Sequence, residues 1–284
     1  MGTSDPDAVR AEILERWGRV ATGWDKRARS VREFGLPVSM WMLDHAGLRP
    51  GGRVLELAAG PGETGFLAAE RILPGGSLVC TDATDEMLDV ARARAKELGI
   101  EDVEFKRIEL EWIDLGTASV DAVLCKWGLM FAVDPEAALR EVRRVLRPGG
   151  RVALAVWDEP PVNPWATIPT RALVELGHTT APDPDAPGMF ALAPSGRLQS
   201  LLEAAGFLEV LVESVDPPRA FGSVEEYIAE TDDLSSVFGE VFDPLSDAQR
   251  AEVTQKIAEL AQPYTGTDGT LRLPARSLVA SAEA

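Results

Sequence analysis

Between Arg53 and Trp157 the chain keeps repeating one unit: a short, solidly apolar run, a glycine or proline turn, then a stretch with helical spacing. The runs at 53–58, 77–81, 103–106, 120–126 and 151–157 read as strands. Residues 64–72, 85–98 and 135–146 read as helices, stopped in turn by Pro74-Gly75-Gly76, by Gly99 and by Pro148-Gly149-Gly150. The strand runs are continuous rather than alternating, as expected where helices cover both faces of a sheet. Such a chain folds as a parallel, doubly wound α/β sheet.

The flanks are less regular. A first helix is expected from Ser4 or Asp5, either of which can cap it. Pro6 suits its first turn, and Val9, Ile13, Trp17, Val20 and Trp24 fall three or four residues apart. A polar, basic stretch at 25–32 separates it from a second helix over 36–46, which ends at Gly47. After Trp157 the rhythm breaks into a proline-rich insertion, 158–193, with one helical stretch at 165–176. Beyond it we expect a helix at 194–205, a strand at 207–215, helices at 224–232 and 246–261, and a last strand within 270–280. Residues 1–48 are thus expected to form an N-terminal helical cap or lid. Residues 49–284 form the main domain, with 158–193 on its substrate side.

At 284 residues the chain can bury a full core without disulfide or metal staples. Its 46 acids against 28 bases give a formal charge of −18, which argues against binding nucleic acid, since phosphate contacts need a basic footprint. A small molecule is the expected partner. No apolar run approaches the ~20 residues of a membrane span, and Met1 to Ala8 show no export pattern; a cytoplasmic protein is expected. Two cysteines and two histidines without paired spacing leave no expected metal site.

The segment Val54-Leu55-Glu56-Leu57-Ala58-Ala59-Gly60-Pro61-Gly62-Glu63-Thr64-Gly65 runs from a strand through a glycine turn into a helix. That arrangement lets a ligand approach the backbone at the positive end of a helix. Gly60-x-Gly62-x-x-Gly65 matches the dinucleotide fingerprint, with Asp82 near the expected distance downstream, so a nicotinamide-dependent oxidoreductase is one reading. Two details turn it away. Glu56 sits inside the end of the strand, and the turn starts later, after Ala58-Ala59.

With the further segments Thr81-Asp82-Ala83-Thr84-Asp85-Glu86-Met87-Leu88, Ser119-Val120-Asp121-Ala122-Val123 and Arg144-Val145-Leu146-Arg147-Pro148-Gly149-Gly150, the sequence resembles the class I S-adenosylmethionine-dependent methyltransferases. Within them it is most similar to the ubiquinone/menaquinone-biosynthesis and small-molecule branch. The resemblance covers about residues 50–158, and the rest in outline. It implies a Rossmann-like, mostly parallel seven-stranded sheet of order 3-2-1-4-5-7-6. It departs at Ala58, where the family usually has glycine, and at Glu109, where it usually has aspartate.

The resemblance implies S-adenosylmethionine as methyl donor and assigns residues to it. Asp82 would accept hydrogen bonds from both ribose hydroxyls, a role distinct from capping the next helix, for which Asp85 is the better placed. Ala83 follows it. Met87 would cover one face of adenine, or simply pack in the core. Glu109, Leu110 and Glu111 would face the adenine amino group. Gly60 and Gly62 would let the backbone approach, and Glu56 with the carbonyls around Ala58 and Lys126 would hold the methionine ammonium. Trp24 or Arg29 would close over the donor. Cys80 and Cys125, at the ends of strands two and four, would be about 9.6 Å apart, beyond the ~7 Å limit of a disulfide, hence free and buried.

Methyl transfer from a sulfonium is an in-line displacement with an activated leaving group, so positioning and water exclusion matter more than an acid or base. His178, in the insertion, is the candidate base if one is used, with Tyr227 and Tyr264 behind it; His45 lies toward the amino end of the sheet and reads as structural. Trp41, Trp127, Met130, Phe131, Trp165, Met189 and Phe190 are candidates for the acceptor wall or for gluing the cap to the sheet. Nucleobase methylation is disfavoured, because Lys126-Trp127-Gly128-Leu129 stands where that chemistry uses Asn or Asp-Pro-Pro-aromatic. A protein of this fold that binds the donor but runs another reaction is the alternative.

Overall fold

A computed structural model describes residues 5–184 and 186–284. Seven strands form one sheet in the order β3-β2-β1-β4-β5-β9-β6. They are β1 (Arg53–Glu56), β2 (Ser77–Asp82), β3 (Val103–Arg107), β4 (Val120–Lys126), β5 (Leu146–Trp157), β6 (Leu208–Val215) and β9 (Ser277–Glu283). The first five pair in parallel, while β9 runs antiparallel to both β5 and β6. Because β9 is the last sheet strand in the chain yet lies sixth in space, this is the expected 3-2-1-4-5-7-6 arrangement. Two further short strands, β7 (Ala220–Phe221) and β8 (Leu271–Arg272), pair with each other. The expected last strand is therefore two strands, β8 and β9.

Helices α2 (Ala28–His45) and α3 (Glu63–Arg71) pack together on β1, β2, β5 and β9, and α4 (Asp85–Leu98) on β2 and β3. Helices α5 (Pro135–Val145) and α7 (Arg197–Ala204) pack together beside β5, β6 and β9. Helix caps follow local chemistry. Asp5 caps α1 (Pro6–Lys26), the alternative cap Ser4 lying outside the described residues, and Asp134 caps α5. Thr84, not Asp85, caps α4; Asp85 is instead its first helical residue, where a carboxylate favours the helix dipole.

Three expectations need correction. The basic stretch at 25–32 is helical, interrupted only at Arg27. Its charges face outward, and Lys26 and Arg27 pair with Asp233 at 2.8 and 2.6 Å, so polarity there marks a surface and not a loop. Pro148-Gly149-Gly150 does not precede β5 but lies within it, where the register slips between the pairs Val120–Leu146 and Ala122–Arg151. Finally, α6 (Pro164–Glu175), α8 (Val224–Leu234), α9 (Ser236–Phe242) and α10 (Asp247–Ala261) gather around a second apolar core. Ile168, Leu173, Tyr227, Phe238, Val253 and Ile257 fill it, separate from the core under the sheet. Helix α9 was not expected at all. Both cysteines are free and buried. Among the described residues no helix is long and apolar enough to cross a membrane.

Candidate functional site

The carboxyl ends of β1, β2 and β4 face a cleft holding about 1020 Å³ of space free of protein atoms, part of it continuous with solvent. Its floor is the turn after β1. Ala58, Gly60 and Gly62 there take φ of 49°, 53° and 84°, all left-handed. Alanine at such an angle costs about 1–2 kcal/mol, which is why glycine is the usual residue. Its methyl is accommodated because Gly128 lies opposite: a Cβ on Gly128 would come 2.4 Å from the Ala58 Cβ.

Asp82, at the tip of β2, ties this turn in place. Its Oδ2 accepts the Gly60 N–H at 2.9 Å, and its Oδ1 accepts the N–H and the hydroxyl of Thr84, both at 3.2 Å. A carboxylate offers about four acceptor sites, so these bonds fix its orientation without filling it. Burial raises its pKa above the ordinary 3.8, against the opposing pull of those hydrogen bonds. A ligand diol is accepted by the ionised form. Affinity for S-adenosylhomocysteine should therefore hold near neutrality and fall as pH drops through the raised Asp82 pKa, sooner than an exposed aspartate would give. Calorimetric titrations across that range check it; an affinity flat into the ordinary aspartate range removes Asp82 from ligand contact.

Of the other residues expected around the donor, Trp24, Ala58, Gly60, Ala83, Met87, Glu109, Leu110, Glu111 and Lys126 all line the cleft. Met87 is at once lining and packed, buried against Val20 and Ala21 of α1. Glu111 also accepts the Val133 N–H at 2.8 Å and the Asp134 N–H at 3.2 Å, fixing the loop after β4.

Glu56 and Gly62 are not among the lining residues. Glu56 is buried behind the turn, where its Oε1 accepts the Gly65 N–H at 2.8 Å. Gly62 is covered by the Phe66 ring, whose Cζ would lie 2.4 Å from an added Cβ. Burial raises the Glu56 pKa and lowers that of Lys126, the two facing each other's field across the core. Gly65 is the third glycine of the fingerprint, and it is needed because of Glu56: a Cβ there would sit 2.2 Å from Oε2 and 2.9 Å from Cδ. Gly65→Ala should cost about 1–3 kcal/mol through overpacking, read as a lower urea midpoint at unchanged m-value. An unshifted midpoint would mean Glu56 is free to swing away.

Helix α1 closes the cleft from above, through Arg10, Ile13, Leu14 and Trp17 as well as Trp24. Only Trp24 of these five was expected there, although all five share one helical face. Trp17 meets Trp24 edge-on at 5.8 Å and Phe131 at 5.0 Å between ring centroids. Arg10 spans to Glu109 at 3.4 Å and Glu111 at 3.8 Å. Arg29 points outward, paired with Glu33. Glu63, also unanticipated, lines the cleft while paired with Arg94 and, at 3.8 Å, with Arg32.

The expected acceptor wall divides. Trp127 and Phe131 line the cleft. Trp127 takes a left-handed φ of 58°, an outlier for so bulky a residue, and is held by Phe34 and Trp157 stacked on it at 5.4 and 4.5 Å. Trp41 is elsewhere, stacked on His45 and donating to Glu213 on β6 at 2.8 Å. Met130 turns into the core, Trp165 packs edge-on against Trp157 at 4.8 Å, and Met189 and Phe190 pack against the main core. The candidate bases are also absent from the lining. His178 follows α6, its backbone N–H bonded to Leu173 O; Tyr227 is sealed in the second core, donating to the Trp165 carbonyl, and Tyr264 packs beside it.

The residues present fit a nucleoside donor. A Cβ on Gly60 would meet nothing within 4 Å, so the backbone there is bare toward open space. Beside it stand a carboxylate at a strand tip and an apolar shelf of Met87, Ile108 and Leu110. Comparison with known proteins agrees. A family model described as a methyltransferase domain matches residues 48–176. The ubiquinone/menaquinone biosynthesis C-methyltransferase UbiE of Ectopseudomonas mendocina is 34% identical over 160 residues, 55% of this chain and 62% of that protein. Residues 48–176 carry a class I S-adenosylmethionine-dependent methyltransferase domain.

An uncharacterised protein of Mycobacterium tuberculosis is 31% identical to this chain over 155 residues, 55% of each. The chain thus spans about half the length of the curated relatives it matches. In fold, the chain superposes on the crystal structure of the YcgJ protein from Bacillus subtilis with a TM-score of 0.57, at 20% identity, over 87% of this chain and 97% of that one.

Proposed function

We propose that the protein transfers a methyl group from S-adenosylmethionine to a small organic acceptor. The observation that carries this reading is the cleft at the tips of β1, β2 and β4, where a bare glycine backbone and a carboxylate oriented by it face the same open space. Asp82 would hold the ribose diol, Met87, Ile108 and Leu110 would flank adenine, and Glu109 and Glu111 would accept from its amino group. The turn at Ala58 and Gly60 and the backbone carbonyl of Lys126, not its side chain, would hold the ammonium of the amino-acid tail. When bound, the donor supplies an activated methyl on a sulfonium. What remains for the chain is to orient the acceptor and keep water out, a task suited to Trp17, Trp24, Trp127 and Phe131.

A small acceptor is supported by the enclosure of the cleft under α1 and by relatives named as ubiquinone/menaquinone biosynthesis C-methyltransferases. Calorimetry with S-adenosylhomocysteine, with NAD as control, tests the donor site. Labelled S-adenosylmethionine with a panel of phenols, amines and quinones tests transfer. Binding of NAD in place of the nucleoside would overturn the reading; tight binding with no transfer to any acceptor would favour a different reaction on the same fold.

A further inference from the structure

Two cations line the cleft, and only one is neutralised within it. Arg10 is paired with Glu109 and Glu111. Lys126, at the end of β4, forms no ion pair among the described residues; its Nζ donates to the neutral Ser39 Oγ at 3.1 Å and lies 5.0 Å from the centre of the Trp127 ring. Ser39 in turn shares a hydrogen bond with Thr64 at 2.9 Å. The surroundings are closed on the α2 side, where a Cβ on Gly35 would come 3.0 Å from Nζ. The carboxylates whose field reaches it are already engaged: Glu56 of β1 with the Gly65 N–H, and Glu63 of α3 with Arg94 of α4 and Arg32 of α2. A desolvated ammonium without a counter-ion is costly, and Lys126, half-buried, lines the cleft.

We propose that Lys126 is an oxyanion subsite for the methyl acceptor, so that the acceptor carries an acidic oxygen, as a phenol or an enol does. The inference rests on the proposed methyl transfer and narrows its acceptor. An amine acceptor is disfavoured by the same geometry, because its reactive form gains nothing from a neighbouring cation.

The proton bookkeeping is simple. Burial lowers the Lys126 pKa, so its amine form is accessible and takes the proton of the acceptor O–H. The ammonium then faces the oxyanion. An electron pair of that oxygen, or of the carbon conjugated to it, takes the methyl as the sulfonium becomes a neutral thioether. The ammonium releases its proton to water once the product leaves.

The test reads binding as well as turnover. The full chain saturated with S-adenosylhomocysteine is titrated with a panel of nitrophenols, whose absorbance reports ionisation, and with the nitroanilines of the same rings. Wild type should bind the phenolates and stabilise their ionised form, shifting their apparent pKa down. Lys126→Met should lose at least tenfold in phenolate affinity with aniline affinity unchanged, and Lys126→Arg should keep most of it. S-adenosylhomocysteine affinity of each variant reports an intact fold and donor site. Wild type that binds no phenolate, equal losses for phenols and anilines, or a collapse of S-adenosylhomocysteine affinity in Lys126→Met with Lys126→Arg intact would each overturn the proposal. The last would place the cofactor's own carboxylate at Nζ. Failure of wild type to bind S-adenosylhomocysteine would instead strike the methyltransferase reading itself.

Discussion

Gly60→Val should abolish binding of S-adenosylhomocysteine while leaving a folded protein. Gly60 is bare on the cleft side, so the new side chain meets no protein atom and projects into the space the ligand needs. The cost to the fold is the left-handed φ of 53°, about 1–2 kcal/mol for a non-glycine residue and more when it is β-branched. A protein that buries this much core should survive that loss, read as a modest drop in melting temperature. Calorimetry should give no measurable heat at ligand concentrations that saturate wild type. Retained affinity would mean that the donor does not run over this turn.

Asp82→Ala should weaken the same ligand by about 1.5–3 kcal/mol, the scale of hydrogen bonds to a charged group, or roughly ten- to over a hundredfold. Two effects add. The diol loses its acceptor, and the Gly60 and Thr84 N–H groups lose the carboxylate that holds the turn in register with β2. The second effect also costs stability, so the dissociation constant must be compared at a temperature where circular dichroism shows the variant folded. An unchanged constant would take the ribose contact away from Asp82.

The sheet was readable because its central strands are buried on both faces and punctuated by glycine stops; apolar runs such as Val120–Lys126 leave little else to be. The second core was not. Its side chains come from α6, α8, α9 and α10, with β6 and α7 intervening in the chain, and no local pattern signals that Ile168 and Ile257 will meet. In the site, residues fixed by a strand tip or by the turn itself were legible, as Asp82, Gly60 and Lys126 are. Residues judged by type alone were not. Trp41 and Trp165 are aromatic for packing reasons seen only in three dimensions, and Glu56, chosen as a carboxylate at a strand end, points back into the protein because Gly65 offers it an N–H. Ile13, Leu14 and Trp17 went unread for the opposite reason: an amphipathic helix declares that it has an apolar face, not what that face covers.

The contact between Ala58 and Gly128 carries one more consequence. The tips of β1 and β4 share room for a single methyl group, and here the first strand has taken it. Glycine is dispensable after β1 only while the position after Trp127 stays bare, so the two sites form one joint constraint. A pattern that scores them separately counts Ala58 as a blemish in the motif, when the vacancy it needs has been supplied seventy residues away.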